Sequence, residues 1–109
     1  MNVRYFLRPK AGDDLDDQSL YLARKGSPEI GHRFLIAAHE TFILLATHPE
    51  AGWHPRLKNA ELAALRTFRI TGFERMLVLY KPRADGVEIL RVIHGSRNLD
   101  KLLQNEGLE

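Results

Sequence analysis

The chain has 109 residues, 44% of them apolar and 28% charged, with a formal charge of +2 and no cysteine. That is enough for one well-filled core in a single domain, it lies away from disordered and membrane compositions, and it excludes disulfides and thiolate metal sites. No apolar run approaches the ~18 residues of a spanning helix and no signal-peptide layout opens the chain, so a cytoplasmic protein without membrane attachment is expected.

The basic charge is uneven. Met1 to Gly52 carries six Lys/Arg against seven Asp/Glu, whereas Trp53 to Glu109 carries ten against seven, and 11 of the 16 basic residues are arginine. The guanidinium fork suits carboxylates and phosphates, so an acidic partner is expected on the second half.

The segment Val3 to Leu7 alternates and stops at Pro9, which predicts a first strand that cannot pair beyond the proline. In "AGDDLDDQSLYLARKG" the aspartates 13, 14, 16 and 17 crowd one end and Arg24 and Lys25 the other, with Gly26 following. This order complements a helix dipole, and the acidic run reads as wet surface rather than a metal site. Ala11, Leu15, Gln18 and Leu22 share a face, with Gln18 as a polar intrusion. Ser27-Pro28-Glu29 opens a second helix, with Ser27 as N-cap and Pro28 at the first helical position. Ile30, Phe34, Ala38, Thr41 and Leu45 keep helical spacing until "THPEAGWHP" ends it, so the two helices form an antiparallel hairpin. "LKNAELAAL" fits either a helical turn or a loop.

From Leu65 the period becomes two. "LRTFRIT", "RMLVLYK" and "VEILRVIH" are strand-like and are joined through residues 72–74 and 82–86 as antiparallel hairpins. A short helix from Asn98 to Gln104 closes the chain. The expected fold is α+β, in the order β-α-α-β-β-β with a short C-terminal helix, the helical hairpin packed on one face of a small, mainly antiparallel sheet.

Asp14-Leu15, Tyr21-Leu22-Ala23, "SPE", Arg33-Phe34, "HPEAG" (His48 to Gly52), Leu65-Arg66, "LVLY" (Leu77 to Tyr80) and "ILRVIHGSRNL" occur in an order and spacing that resembles the ParE branch of the RelE/ParE toxin superfamily. The likeness spans almost the whole chain. Gln18 departs from it, where an apolar residue is usual, and so does Asn98, where an acidic residue commonly follows the arginine; Asn98 could equally cap the last helix. The resemblance implies a toxin of a type II toxin–antitoxin system, of the kind linked to growth inhibition and plasmid stabilisation. It implies neutralisation by a cognate ParD-like antitoxin with a ribbon-helix-helix DNA-binding part. The ParE branch implies non-enzymatic inhibition of DNA gyrase, and the RelE branch implies ribosome-dependent mRNA cleavage. A third option is an inactive member kept as a partner-binding module. Fold alone does not choose among these.

Metal-free RNA cleavage would draw on Arg69, Arg91 and Arg97 for charge, His94 for a proton and Tyr80 as an acid. Strand alternation groups Arg91 with Ile89 and Ile93, and His94 with Leu90 and Val92, so Arg91 and His94 should leave opposite faces. Nothing after Arg97 adds an aromatic or a histidine. The non-enzymatic reading is therefore preferred, with no cofactor, and with Arg69, Arg91, His94 and Arg97 as partner-contacting residues. Each has an ordinary alternative. His94 could be a strand-end imidazole bonded to backbone, Arg91 the partner of an inward carboxylate, and Arg97 an anchor for the last helix. Trp53 reads as a lid over the helical hairpin rather than a stacking platform, and His32, His39 and His48 as surface residues. Nucleic acid is expected to be met only through the antitoxin complex.

Overall fold

A computed structural model describes residues 4–96 and 98–106. Its elements are β1 (Arg4–Leu7), α1 (Pro9–Lys25), α2 (Pro28–Thr47), a single 3₁₀ turn (Ala60–Leu62), β2 (Arg66–Ile70), β3 (Phe73–Arg83), β4 (Gly86–His94) and α3 (Leu99–Glu106). The expected order holds throughout. The expected start of the first strand, Val3, lies outside the described residues.

Pro9 both ends β1 and occupies the first turn of α1, where its missing N–H costs nothing. Because α1 starts this early, its first turn holds no acidic residue. The aspartates therefore sit further along than dipole complementation requires, and one of them has a different task described below. At the other end Arg24 and Lys25 fill the last turn and the Gly26 N–H closes on the Leu22 carbonyl at 2.8 Å. Ser27 caps α2 as expected, its Oγ accepting the Ile30 N–H at 3.4 Å. Thr41, buried in the apolar face of α2, satisfies its hydroxyl on the Ala37 carbonyl at 2.8 Å.

The four strands lie in the order β1-β4-β3-β2, with β2, β3 and β4 antiparallel and β1 parallel to β4. Both hairpin connections are shorter than the sequence suggests. They are two-residue turns at Thr71-Gly72 and Ala84-Asp85, and Phe73, Glu74, Pro82, Arg83 and Gly86 belong to strands. Pro82 is tolerated because it sits at the hairpin end of β3, opposite Val87. Gly86, at φ +148°, faces the Arg4 carbonyl so closely that any Cβ there would collide with it. Its lack of a side chain lets β1 come alongside β4.

The register of β3 against β4 shifts once, where Leu79 faces Arg91 but Tyr80 faces Ile89. Leu90 is the extra residue, and such a bulge resets the alternation of faces. Ile89 accordingly packs with Val92, Val78, Tyr80 and the hairpin residues Ala11, Leu15, Phe34, Phe42 and Leu45, while Leu90 turns to the far face with Leu62, Leu65, Leu79 and Leu103. The expected grouping of Ile89 with Arg91 fails for this reason. The ambiguous "LKNAELAAL" stretch proves to be one 3₁₀ turn whose leucines cover the far face. Asn98 does cap α3, its Oδ1 accepting the Lys101 N–H at 3.2 Å, and Leu103, 1% exposed, seats that helix. Full burial of such a side chain contributes on the order of 2 kcal/mol.

Candidate functional site

A groove of about 650 Å³ opens between the C-terminal half of α1 and the end of the sheet. Leu22, Phe73 and Met76 give it an apolar lining, and Gln18, Tyr21, Glu74, Arg75 and His94 supply polar groups. Gly72 of the β2–β3 turn, the start of β3 and the last residue of β4 line it together with one face of α1. Phe73 is fixed from behind by the edge of Phe34, ring centroids 5.4 Å apart. Gln18, the polar intrusion in the α1 stripe, is thus a groove residue, and Tyr21 leaves 55% of its surface open beside it. Arg75 was not singled out from the sequence; nothing in the alternation of a strand marks which end residue will border a cavity.

His94 is exposed. Its Nδ1 accepts the Ser96 N–H at 3.3 Å and lies 2.8 Å from the Ser96 hydroxyl, so the neutral ring carries its proton on Nε2. This is the strand-end imidazole bonded to backbone, placed at the groove. It faces Met76 across the ladder, on the helix side of the sheet.

Arg91 faces Leu79, a far-face residue, so the two side chains do start from opposite faces. Its guanidinium then meets Asp14 of α1, with Nε 2.7 Å from Oδ2 and Nη2 2.8 Å from Oδ1. The same Oδ2 accepts the Val92 N–H at 2.9 Å. The pair closes an edge: β1 ends at Leu7, opposite Ile89, and beyond that point no strand among the described residues pairs with β4 on this side. A bidentate fork and a backbone N–H satisfy the carboxylate, and the Asp14 bonds raise the Arg91 pKa further above its ordinary value. At 7% exposed, Arg91 is a buried charge with its carboxylate supplied by a residue 77 positions away.

Tyr80 is fully buried. Its hydroxyl donates to the Pro49 carbonyl at 2.7 Å and accepts the Gly52 N–H at 2.9 Å, which fixes the loop after α2. A Cβ on Gly52 would stand 2.5 Å from that hydroxyl and 2.6 Å from the Thr67 carbonyl. Burial pushes the Tyr80 pKa up, with the Gly52 hydrogen bond and Arg66 opposing.

Arg69 stands on β2, its Nη1 donating to the Glu74 carbonyl at 2.8 Å and its guanidinium 5.6 Å from the centre of the Trp53 ring. Trp53 is not a lid over the hairpin. It exchanges two backbone hydrogen bonds with Thr67, at 3.0 and 2.8 Å, on the outer edge of β2, and its side chain is 45% exposed. Arg97 lies outside the described residues. The four described candidates for phosphate chemistry therefore occupy separate places: His94 the groove, Arg91 the β4 edge, Tyr80 the interior and Arg69 the β2 side. His32, His39 and His48 are exposed as expected, and among the described residues no group of His, Asp and Glu could hold a metal. No described helix is long and apolar enough to cross a membrane.

The family model for the ParE toxin of the type II toxin–antitoxin system parDE matches residues 5–99. The chain belongs to the ParE toxin family. A solved chain described as "Chromosomal ParDE TA system from P. aeruginosa" resembles it in fold, with a TM-score of 0.69 at 17% identity, over 84% of this chain and 95% of that one. Among curated proteins none matches. As a ParE-family toxin the chain is one half of a toxin–antitoxin system, and the helical hairpin, the mixed sheet and the short last helix are the family's fold.

Proposed function

We propose that this ParE-family chain binds and inhibits DNA gyrase without chemistry of its own, in the cytoplasm, and is held inactive by a ParD-like antitoxin segment seated in the α1–sheet groove. The groove carries this reading. It has the form that receives an amphipathic helix or strand: an apolar floor, a polar rim with Arg75 and His94, and exposed Tyr21 beside it. A disordered acidic segment would bury apolar side chains on Leu22, Phe73 and Met76 and place carboxylates against the rim, folding as it binds. Of the expected contact residues, His94 lines this groove directly. Arg91 would act through Asp14, as a positioning residue that holds α1 where the groove needs it, and Arg69 would contribute from beside Glu74. Arg97, three positions after His94 in the chain, is proposed as a further contact.

The deciding experiment runs two assays on the purified chain: gyrase supercoiling, and cleavage of mRNA on translating ribosomes. Inhibited supercoiling with intact RNA is the expected result. Codon-positioned cuts would replace this reading with the RelE-type nuclease, and inactivity in both assays, with no growth arrest on expression, would leave a partner-binding module. The antitoxin seat is tested separately. Tyr21→Ala and Arg75→Glu should weaken antitoxin binding at least tenfold while circular dichroism stays unchanged.

A further inference from the structure

The basic excess of the chain's second half is confined to one segment. Residues 53–69 carry Arg56, Lys58, Arg66 and Arg69 against the single acid Glu61, whereas residues 70–109 carry six basic and six acidic residues. Arg66 is committed internally, its Nη1 donating to the Gly52 carbonyl at 2.7 Å. Arg56, Lys58 and Arg69 are exposed. Trp53 opens this segment, clamped by its backbone to Thr67, with 45% of its surface exposed and the Arg69 guanidinium over one face of its ring, which leaves the other face for a ligand. A large aromatic is thus held rigidly at the sheet edge without being used in either apolar cluster.

We propose that this edge is a binding platform for single-stranded nucleic acid, one base stacking on the Trp53 indole while Arg56, Lys58 and Arg69 neutralise the flanking phosphates. Stacking on an exposed indole tolerates any base, because every base has a π-face, and cations along the same segment track a backbone. A protein-binding hot spot also uses tryptophan and arginine, but it needs apolar surroundings that exclude water. The other large apolar side chains exposed among the described residues, Leu7, Leu20, Tyr21, Ile36, Ile43 and Leu44, belong to β1 and the helical hairpin. Trp53 instead has Arg69 over its ring and Arg56 and Lys58 within five residues of it in the chain. The platform uses none of the groove-lining residues and does not depend on gyrase being the target.

Trp53 is the chain's single tryptophan, so its fluorescence reports on this place alone. The test titrates the full chain with a short oligothymidylate at low salt. Saturable quenching is expected, and three neutralised phosphates give a log–log salt slope of about −2, so a fourfold rise in salt weakens binding roughly 20-fold. The triple variant Arg56→Gln, Lys58→Gln, Arg69→Gln should lose most of that slope, while Arg24→Gln, at the end of α1, should bind as the parent does. Followed by anisotropy of a labelled oligonucleotide, Trp53→Leu should weaken binding by about 5- to 100-fold. Absent quenching, or affinity and slope unchanged in the triple variant, overturns the proposal. Quenching by polyglutamate in place of oligothymidylate also overturns it, in favour of an acidic protein partner. Should the triple variant not fold, the parent's salt slope and its preference between those two polymers decide the matter.

Discussion

At the β4 edge beyond β1 and at the outer side of β2, an arginine is used in opposite ways. At β4, beyond the end of β1, Arg91 is 7% exposed and gripped by Asp14, which also takes the Val92 N–H. At β2, Arg69 is exposed beside an exposed indole that is itself pinned to the strand. Residue type is the same, and so is strand context. What differs is whether a helix carboxylate comes down on the edge. Where α1 delivers Asp14, the guanidinium becomes part of the fold; where only the loop after α2 arrives, it stays at the surface and available to a ligand.

The contrast breaks most visibly at Asp14. Asp14→Ala leaves the buried Arg91 without its carboxylate and the Val92 N–H without an acceptor, and should cost about 3–5 kcal/mol in urea unfolding. Replacing both partners, Asp14→Leu with Arg91→Met, should return to within about 2 kcal/mol of the parent, since an apolar pair needs no compensation. If Asp14→Ala costs no more than a surface substitution, the edge is not held by this pair.

Tyr80 gives the next effect. Tyr80→Phe removes the bond to the Pro49 carbonyl and strands the Gly52 N–H, for about 1–3 kcal/mol. The same hydroxyl gives a pH signature. Burial raises its pKa in the folded chain, so above about pH 10, the ordinary tyrosine value, the unfolded chain loses this proton first and stability falls as pH rises. Tyr80→Phe should remove that part of the alkaline loss. At the acid end Glu88 works the other way: the Arg8 hydrogen bond holds its carboxyl below the usual range, so its contribution is present above that range and disappears as pH falls through it. Urea midpoints across pH, with Glu88→Gln as comparison, read both.

How much of this was legible in the sequence follows the same division between local and distant causes. Pro9, Gly26, Ser27-Pro28 and the change to period two at Leu65 act within a turn or a strand, and they located the first strand, the helical hairpin and the start of the sheet's three antiparallel strands; the cap at Asn98, one of two readings of that residue, is equally local. The Leu90 bulge is a matter of which residues face each other across two strands, and alternation along one strand cannot contain it. The Asp14–Arg91 pair joins residues 77 apart, so Asp14 read as one of four dipole-facing aspartates. His94 was legible as a strand-end imidazole bonded to backbone because a strand end next to glycine is a local feature. Trp53 was misplaced because its position depends on a two-bond bridge to Thr67 that no short motif announces. Loss of the α3 cap in Asn98→Ala should cost about 1 kcal/mol, the size expected of a local signal.

The smallest expected effect on stability is the sharpest test of the contrast. Arg69→Gln removes a guanidinium that is exposed, bonded to one backbone carbonyl and lying beside a ring that its own backbone already holds. Its loss should move the unfolding free energy by no more than about 0.5 kcal/mol, whereas Arg91→Gln, by stranding a partly buried Asp14, should cost several. Binding should rank the two in reverse: at concentrations where both variants are folded, Arg69→Gln should weaken oligothymidylate quenching of Trp53 and Arg91→Gln should not. Equal destabilisation by the two substitutions would mean that Arg69 is also a structural arginine, with the Trp53 loop depending on it. A large binding loss with unchanged stability would mean that the β2 edge is kept open for a ligand, in the way that the β4 edge is closed for the fold.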